Sequence, residues 1–266
     1  MLATIIPPIP NLDQFGNYSF HLVLSHLLDD SRYLDFYRLQ KSRGAFLMLD
    51  NSAHEFQEGA RADRLMSDAR RIDADEVVLP DVLFDGFGTI RRTSQAIDDL
   101  ADRAEPESYR YAIVPQGTNF AEFELCYRRL VDLYFDSSFR PGFNTRGLTV
   151  GLSKDYEVWD GGLYRILEKL IYPDCDTGLY EVHCLGWGRD LWKLNEIAQS
   201  FPKIRSTDSA KPAVFARDGI ALSFGITPEY PRRSPDYFEK KLSSIELEIA
   251  RANLEIFRQA AAGQLK

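Results

Sequence analysis

Six short apolar runs in the chain each end on, or pass through, a polar or small residue. They are AFLMLD at Asp50, EVVLPD at Asp81, YAIVPQ at Gln116, LTVGLSK through Gly151, EVHCLG at Gly186 and KIRSTD at Asp208. Runs of this length, rich in Val, Ile, Leu and aromatics, read as strands buried on both faces. An amphipathic stretch long enough for a helix comes after each one. That alternation admits few folds, because parallel strands joined by short helical connections share one sheet with right-handed crossovers. A parallel strand ending in a carboxylate or amide delivers that group to the C-terminal rim of the sheet, where (β/α) barrels do their chemistry. Three aspartates and a glutamine brought to one rim by different strands predict an enzyme.

Eight strands are predicted in all: YSFHLVLS, AFLMLD, EVVLPD, YAIVPQ, GLTVGL, LYEVHCLG, KIRSTD and GIALSF. Helices are predicted from Leu28 to Gln40, Ala60 to Ile72, Asn119 to Phe135, Tyr164 to Leu170 and Asp190 to Gln199, with a short one near Ala213. Thr89 is the expected N-cap of a further helix carrying Ile90, Ile97 and Leu100. A long charged helix from Pro235 to Gln259 is expected to close the outer ring. Eight such units favour closure into a (β/α)₈ barrel of the TIM type over an open doubly wound sheet. No G-x-G-x-x-G turn comes after the first run, which disfavours a dinucleotide-binding domain. The 266 residues fit one barrel domain over residues 1–266, since such barrels need roughly 250 residues. No linker or repeat marks a boundary.

The stretch MLATIIPPIP is too short and proline-rich to span a membrane and lacks a basic n-region, so a cytoplasmic protein is expected. Cys126, Cys175 and Cys184 form no C-x-x-C pair, and the four histidines have no metal-binding spacing. Neither a structural zinc nor a catalytic metal is expected. A G-x-S-x-G nucleophile elbow is also missing. The net charge of −8 argues against a surface that clings everywhere to nucleic acid, while leaving room for a local basic patch.

Asp208, in RSTDSAK, is flanked by the small residues Thr207 and Ser209 and is open to attack a substrate from the barrel axis. The alternative is an N-cap for the next helix, a role Asp fills well. Asp50 carries the same ambiguity, with Asn51 and Ser52 as competing caps. Two rim carboxylates can divide labour, one as nucleophile and one as acid and base, as in retaining glycoside hydrolysis. Asp81 comes after Pro80, and Gln116 lies between Pro115 and Gly117, so both have a set geometry. A carboxylate that only accepts, beside an amide that donates and accepts, matches the polar edge of a purine. The plainer alternative is that both satisfy loop amides. His54, just after Asp50, can stack on a planar substrate. Lys154, Arg189, Lys211, Arg217, Arg232 and Arg233 fall in loops after strands, where a phosphate backbone would lie. A solvated surface is the alternative for each; the pair in PEYPRRSPDY stands out because Tyr230 and rigid prolines accompany it.

Taken in order, these segments resemble the guanine transglycosylase family, whose barrel exchanges guanine in a polynucleotide for a 7-deazaguanine. The resemblance runs from about Phe46 to Ala216. LMLDNSAHEF is similar to the family's D-S-G-G-[FY]-Q stretch, which implies that Asp50 is the general acid/base and that His54 replaces the aromatic stacked on the base. EVVLPD is similar to the strand ending in the base-recognising aspartate, here Asp81, and AIVPQG resembles I-V-Q-G, with Gln116 on the base edge. LTVGLSK resembles G-L-S-V-G-E, whose backbone near Gly151 would meet the incoming base. VHCLGWG resembles L-M-G-V-G, with Leu185 at the pocket floor. RSTDSAKP falls where the family's nucleophilic aspartate is found, which makes Asp208 the covalent catalyst. Asn51 would join the substrate-binding set.

The chain departs from the tRNA enzymes in lacking their C-x-C-x-x-C zinc module, in its Asn-Ser-Ala-His and Thr-Asp-Ser segments, and in length. A compact version with D-N-[SG]-A-x-E looks like the DNA-modifying branch, the DNA-guanine transglycosylases of phages and bacterial DNA-modification clusters. The resemblance implies guanine replacement in DNA by a base of the preQ0 type, with DNA and the free 7-deazaguanine as partners and no cofactor. Its rivals are the same exchange on tRNA, a catalytically silent barrel that binds a nucleobase, and a sugar hydrolase using Asp50 and Asp208.

Overall fold

The computed structural model describes residues 1–102, 109–138, 143, 145–187, 190–223 and 233–265. Eight parallel strands wrap into a nearly closed barrel, as predicted. They are β1 (Leu2–Ile5), β2 (Phe20–Leu24), β3 (Phe46–Asp50), β4 (Glu76–Val78), β5 (Tyr109–Ile113), β6 (Thr145–Ser153), β7 (Glu181–Leu185) and β8 (Ser206–Ser209). The order β1-β8-β7-β6-β5-β4-β3-β2 leaves β1 and β2 facing each other at the seam. Helix α1 (Ser31–Ser42) follows β2, α2 (Ala53–Phe56) and α3 (Ala62–Ile72) follow β3, α4 (Gly86–Ala101) follows β4 and α5 (Phe120–Ser137) follows β5. After β6 come α6 (Gly162–Ile166) and α7 (Tyr172–Asp176), joined by a π turn; α8 (Leu191–Ser200), α9 (Lys211–Arg217) and α10 (Ser244–Ala261) complete the ring.

The strands are buried from both sides, and Val77, Ala112, Ile113, Val150, Leu152 and Val182 are all shielded from solvent. Helical spacing does the same for the outer layer, where Leu65, Met66, Ala69 and Ile72 turn one stripe of α3 inward. Helix starts are fixed by side-chain caps at Asp30, Asn119, Asp190 and Ser243. Asn119, the predicted start of that helix, caps α5.

Three expectations are corrected. The eighth strand is not GIALSF but Leu2–Ile5, which pairs with β8 so that Thr4 lies opposite Asp208. Gly219 turns the chain out of α9 at φ 72°, and α10 captures the residues just beyond it. Leu222 donates its N–H to Asn253 Oδ1 at 2.6 Å, and Asn253 Nδ2 donates to Ile220 O at 3.0 Å. Backbone groups held by a helix side chain cannot join a ladder; Phe224, the end of that segment, lies outside the described residues. Thr89 is not the cap of α4. Asp85 is, accepting from Gly88 N–H at 2.7 Å, while Thr89 Oγ1 bonds inside the turn to Val82 O. The last helix begins at Ser244, not Pro235, because the segment before it buries Tyr237 and Phe238, with Tyr237 donating to Ile6 O at 2.6 Å.

Among the described residues, no helix is long and apolar enough to cross a membrane. The three cysteines are buried and free.

Candidate active site

The C-terminal ends of the strands enclose a cavity of about 490 Å³, a size suited to a nucleoside-scale ligand. Ile6, Leu22, Leu24, Val114 and Leu185 form its apolar walls. Asp50, Asn51, His54, Asp81, Gln116, Lys154, Asp208, Lys211 and Arg233 also line it. Of the residues predicted for the site, these and Leu185 are therefore brought together by strands distant in sequence. Arg189, Arg232 and Tyr230 lie outside the described residues.

Asp208 is 2% exposed and caps no helix; α9 begins after Ala210 with no side-chain cap. Its Oδ1 accepts from His183 Nε2 at 3.1 Å and from the Gly186 N–H at 3.0 Å. Among the described residues Oδ2 accepts nothing, which leaves one oxygen to face a ligand. A carboxylate accepts only, so His183 donates to it from Nε2, while Nδ1 is hydrogen-bonded to the Ser206 hydroxyl at 2.8 Å. This Ser206–His183–Asp208 chain is fully buried and fixes the carboxylate's plane. The sequence reading gives His183 no role in the site. The signal that could have found it is the period of two in EVHCLG, which puts His183 on the same face as Leu185.

Asp50 ends β3 and accepts the Ser52 N–H on Oδ2 at 2.8 Å. Ser52 makes that bond from a left-handed backbone at φ 63°. Burial pushes the Asp50 carboxyl well above the usual carboxylate range, and the neighbouring carboxylates of Glu55, Asp208 and Asp81 push the same way. The Ser52 N–H opposes them without winning. Glu55, absent from the predicted set, lines the cavity and accepts from Arg233 at 2.8 Å. That pairing, with the Arg233 guanidinium 4.9 Å above the Phe238 ring, commits Arg233 to the protein.

Asp81 and Gln116 form one buried unit. Asp81 accepts from Asn51 Nδ2 at 2.7 Å and from Gln116 Nε2 at 2.5 Å. Gln116 Oε1 accepts from the Phe84 N–H at 3.2 Å and the Tyr156 hydroxyl at 3.0 Å. Burial raises Asp81 to about 6 against the pull of Asn51 and Gln116. Each Asp81 oxygen keeps a second lone pair, so the unit can still accept two donors from a ligand. Asn51 is positioned by its own bonds to Leu79 O and the Ala53 N–H.

His54 is held neutral, first by burial and then by the Lys154 ammonium. Lys154 pairs with Asp155 at 3.0 Å and lies over Gly186. Gly151 is not on the cavity wall. A Cβ there would meet Val114 Cγ2 at 2.9 Å and Leu185 Cδ1 at 3.1 Å, so glycine lets these two wall residues close from behind. Among the described residues, no group of three or more His, Cys, Asp or Glu side chains is placed to hold a metal ion.

The cavity thus combines a carboxylate with one oxygen held by two donors, a second carboxyl whose burial raises its pKa well above the usual range, and a bonded donor–acceptor pair, Asp81 and Gln116. No family model matches the chain, and no curated protein matches it.

Proposed function

We propose that the protein is a base-exchange transglycosylase that replaces guanine in DNA with a 7-deazaguanine. The observation that carries this reading is the contrast between Asp50 and Asp208 in one cavity. Two carboxyls whose surroundings set them apart are the mark of divided acid and nucleophile roles. Asp208 offers an Oδ2 without a partner among the described residues, in a plane fixed through Oδ1; burial and three neighbouring carboxylates raise the Asp50 carboxyl, which favours its acid form.

In the first half-reaction Asp208 Oδ2 attacks C1′ and the C1′–N9 bond breaks. The bonding pair leaves with guanine, which takes the Asp50 proton. In the second, the Asp50 carboxylate accepts the N9 proton of the 7-deazaguanine as N9 attacks C1′. The C1′–Oδ2 bond breaks and its pair returns to Asp208. Asp81 and Gln116 read the ring's polar edge, and His54 supplies a neutral planar surface beside it. A target base in duplex DNA has to leave the stack, at a cost of a few kcal/mol.

The test incubates purified protein with labelled 7-deazaguanine and either DNA or bulk tRNA. Label in DNA supports the reading. Label in tRNA alone moves the same chemistry to the other polymer. Tight binding of the free base with no label in either polymer replaces catalysis by a binding role.

A further inference from the structure

A second cavity, of about 450 Å³, opens on the same rim and shares Asn51 and its neighbourhood with the first. Three arginines, Arg61, Arg64 and Arg92, line it with two carboxylates, Asp29 and Glu58. Arg64 is committed to Asp68 at 2.7 Å and Arg92 to Glu58 at 2.9 Å. Arg61 reaches Asp63 at 3.4 Å, with side chains 81% and 72% exposed, an ion pair that a phosphate can displace.

The loops that build this cavity are ordered by force. Glu58 and Val82 form an antiparallel bridge, and Leu83 donates its N–H to Gln57 O at 2.9 Å, locking the loop after β3 to the loop after β4. Ser52, Gln57 and Phe84 sit at φ 63°, 69° and 60°, a region that side chains avoid. Strain of this kind persists where its surroundings over-determine it, and it gathers at ligand sites. Exposed aromatics lie on and beside these segments: Phe56, 61% exposed, lines the second cavity, Phe84 is 46% exposed in the loop after β4, and Phe87, 66% exposed, is in the first turn of α4. Phe56 meets the His26 ring edge-on at 5.4 Å, and Phe84 is tied through its N–H to Gln116 in the first cavity.

The geometry points to a flanking-nucleotide subsite: the second cavity holds the unpaired nucleotide next to the one reacting in the first. Its base stacks on Phe56, and Arg61 takes its phosphate. Aromatic platforms accept any base, because every base has a π-face, and cations beside them track the backbone. The proposal rests on the transglycosylase reading and adds that a splayed single strand is gripped on the β3–β4 side of the rim.

Affinity for a short single-stranded DNA, by fluorescence anisotropy, and for free 7-deazaguanine, by calorimetry, tests it on the full chain. Phe56→Ala is expected to weaken strand binding roughly fivefold to hundredfold, the span of base–aromatic stacking, while free-base affinity stays unchanged. Arg61→Ala is expected to reduce the salt slope of strand binding by about 0.7, the value for one phosphate on a single strand. Both side chains are exposed, so folding is not at stake. Strand affinity unchanged in Phe56→Ala overturns the subsite and leaves base exchange standing. Wild-type protein that binds the base but no single strand overturns it too; failure to bind either removes both proposals.

Discussion

Asp208, on the cavity wall, has one oxygen held by two donors and one that accepts nothing among the described residues, so its chemistry depends on what holds the first. Asp208→Asn removes the nucleophile and is expected to abolish exchange, with folding and free-base binding kept. Labelled-base incorporation beside calorimetry checks both, and near wild-type exchange would sink the assignment. His183→Leu takes away one hydrogen bond to a charged group, worth about 1.5–3 kcal/mol, so exchange is expected to slow roughly tenfold to hundredfold. Asp50→Asn cannot pass a proton and is expected to slow exchange by about 10²–10⁴-fold. Because burial and three carboxylates raise Asp50, its proton is lost only as pH climbs, and exchange is expected to fall on that alkaline limb. Asp81 gives the opposite limb for base binding. Its folded value of about 6 lies above the ordinary value of 3.8, so the contribution to stability is present below 3.8 and lost as pH rises through about 6. A ligand that donates to Asp81 needs the ionised form, so free-base affinity is expected to be about tenfold weaker at pH 5 than at pH 7. Calorimetry across that range checks it; a flat profile would remove Asp81 from the ligand contact.

At the scale of strands and loops, the legible part of the sequence is the part that period and punctuation encode. Runs such as EVVLPD and YAIVPQ declare a doubly buried strand and its end, and the structure sets Asp81 and Gln116 side by side as a bonded pair. Register is not written in a single run. The pairing of His183 with Ser206 across β7 and β8, which aims the histidine at Asp208, is therefore invisible in the sequence. The strand Leu2–Ile5 is illegible because it is four residues long and runs into Pro7 and Pro8, whereas GIALSF carries the apolar pattern without the free backbone groups. Gly151 is legible as a special position but not as a spacer, since its close neighbours come from β7 and the end of β5. Gly151→Ala puts a methyl 2.9 Å from Val114 Cγ2, and overpacking of this kind costs about 1–3 kcal/mol. The expected result is lower thermal stability together with weaker free-base binding, since Val114 and Leu185 must retreat into the cavity. Unchanged affinity in the folded variant would detach the floor from the ligand.

For the molecule as a whole, the barrel's closure depends on its most easily overlooked strand. β1 supplies the neighbour of β8, with Leu2 donating its N–H to Arg205 O at 2.8 Å and Ile6 to Ser209 O at 3.0 Å. Thr4 lies between these two bonds, opposite Asp208. Helix α10 packs behind this pair, against α8, α9 and β1, and the Met1 ammonium donates to Ala261 O at 3.0 Å. The strand that carries Asp208 is thus held from one side by β7 and from the other by residues more than 200 positions away in sequence. Proline in the middle of a central strand removes a ladder donor and leaves a buried carbonyl unmatched, roughly 2–4 kcal/mol together. Thr4→Pro is therefore expected to lower Tm by about 5–10 °C and to cost most of the exchange activity. Ala221→Pro, in an exposed position within the segment that carries the apolar pattern of an eighth strand, is expected to change stability by no more than about 0.5 kcal/mol. Thermal unfolding of the two variants side by side decides between the two candidate strands. A large loss for Ala221→Pro with little effect of Thr4→Pro would give the seam to residues 219–224 and take β1 away from Asp208.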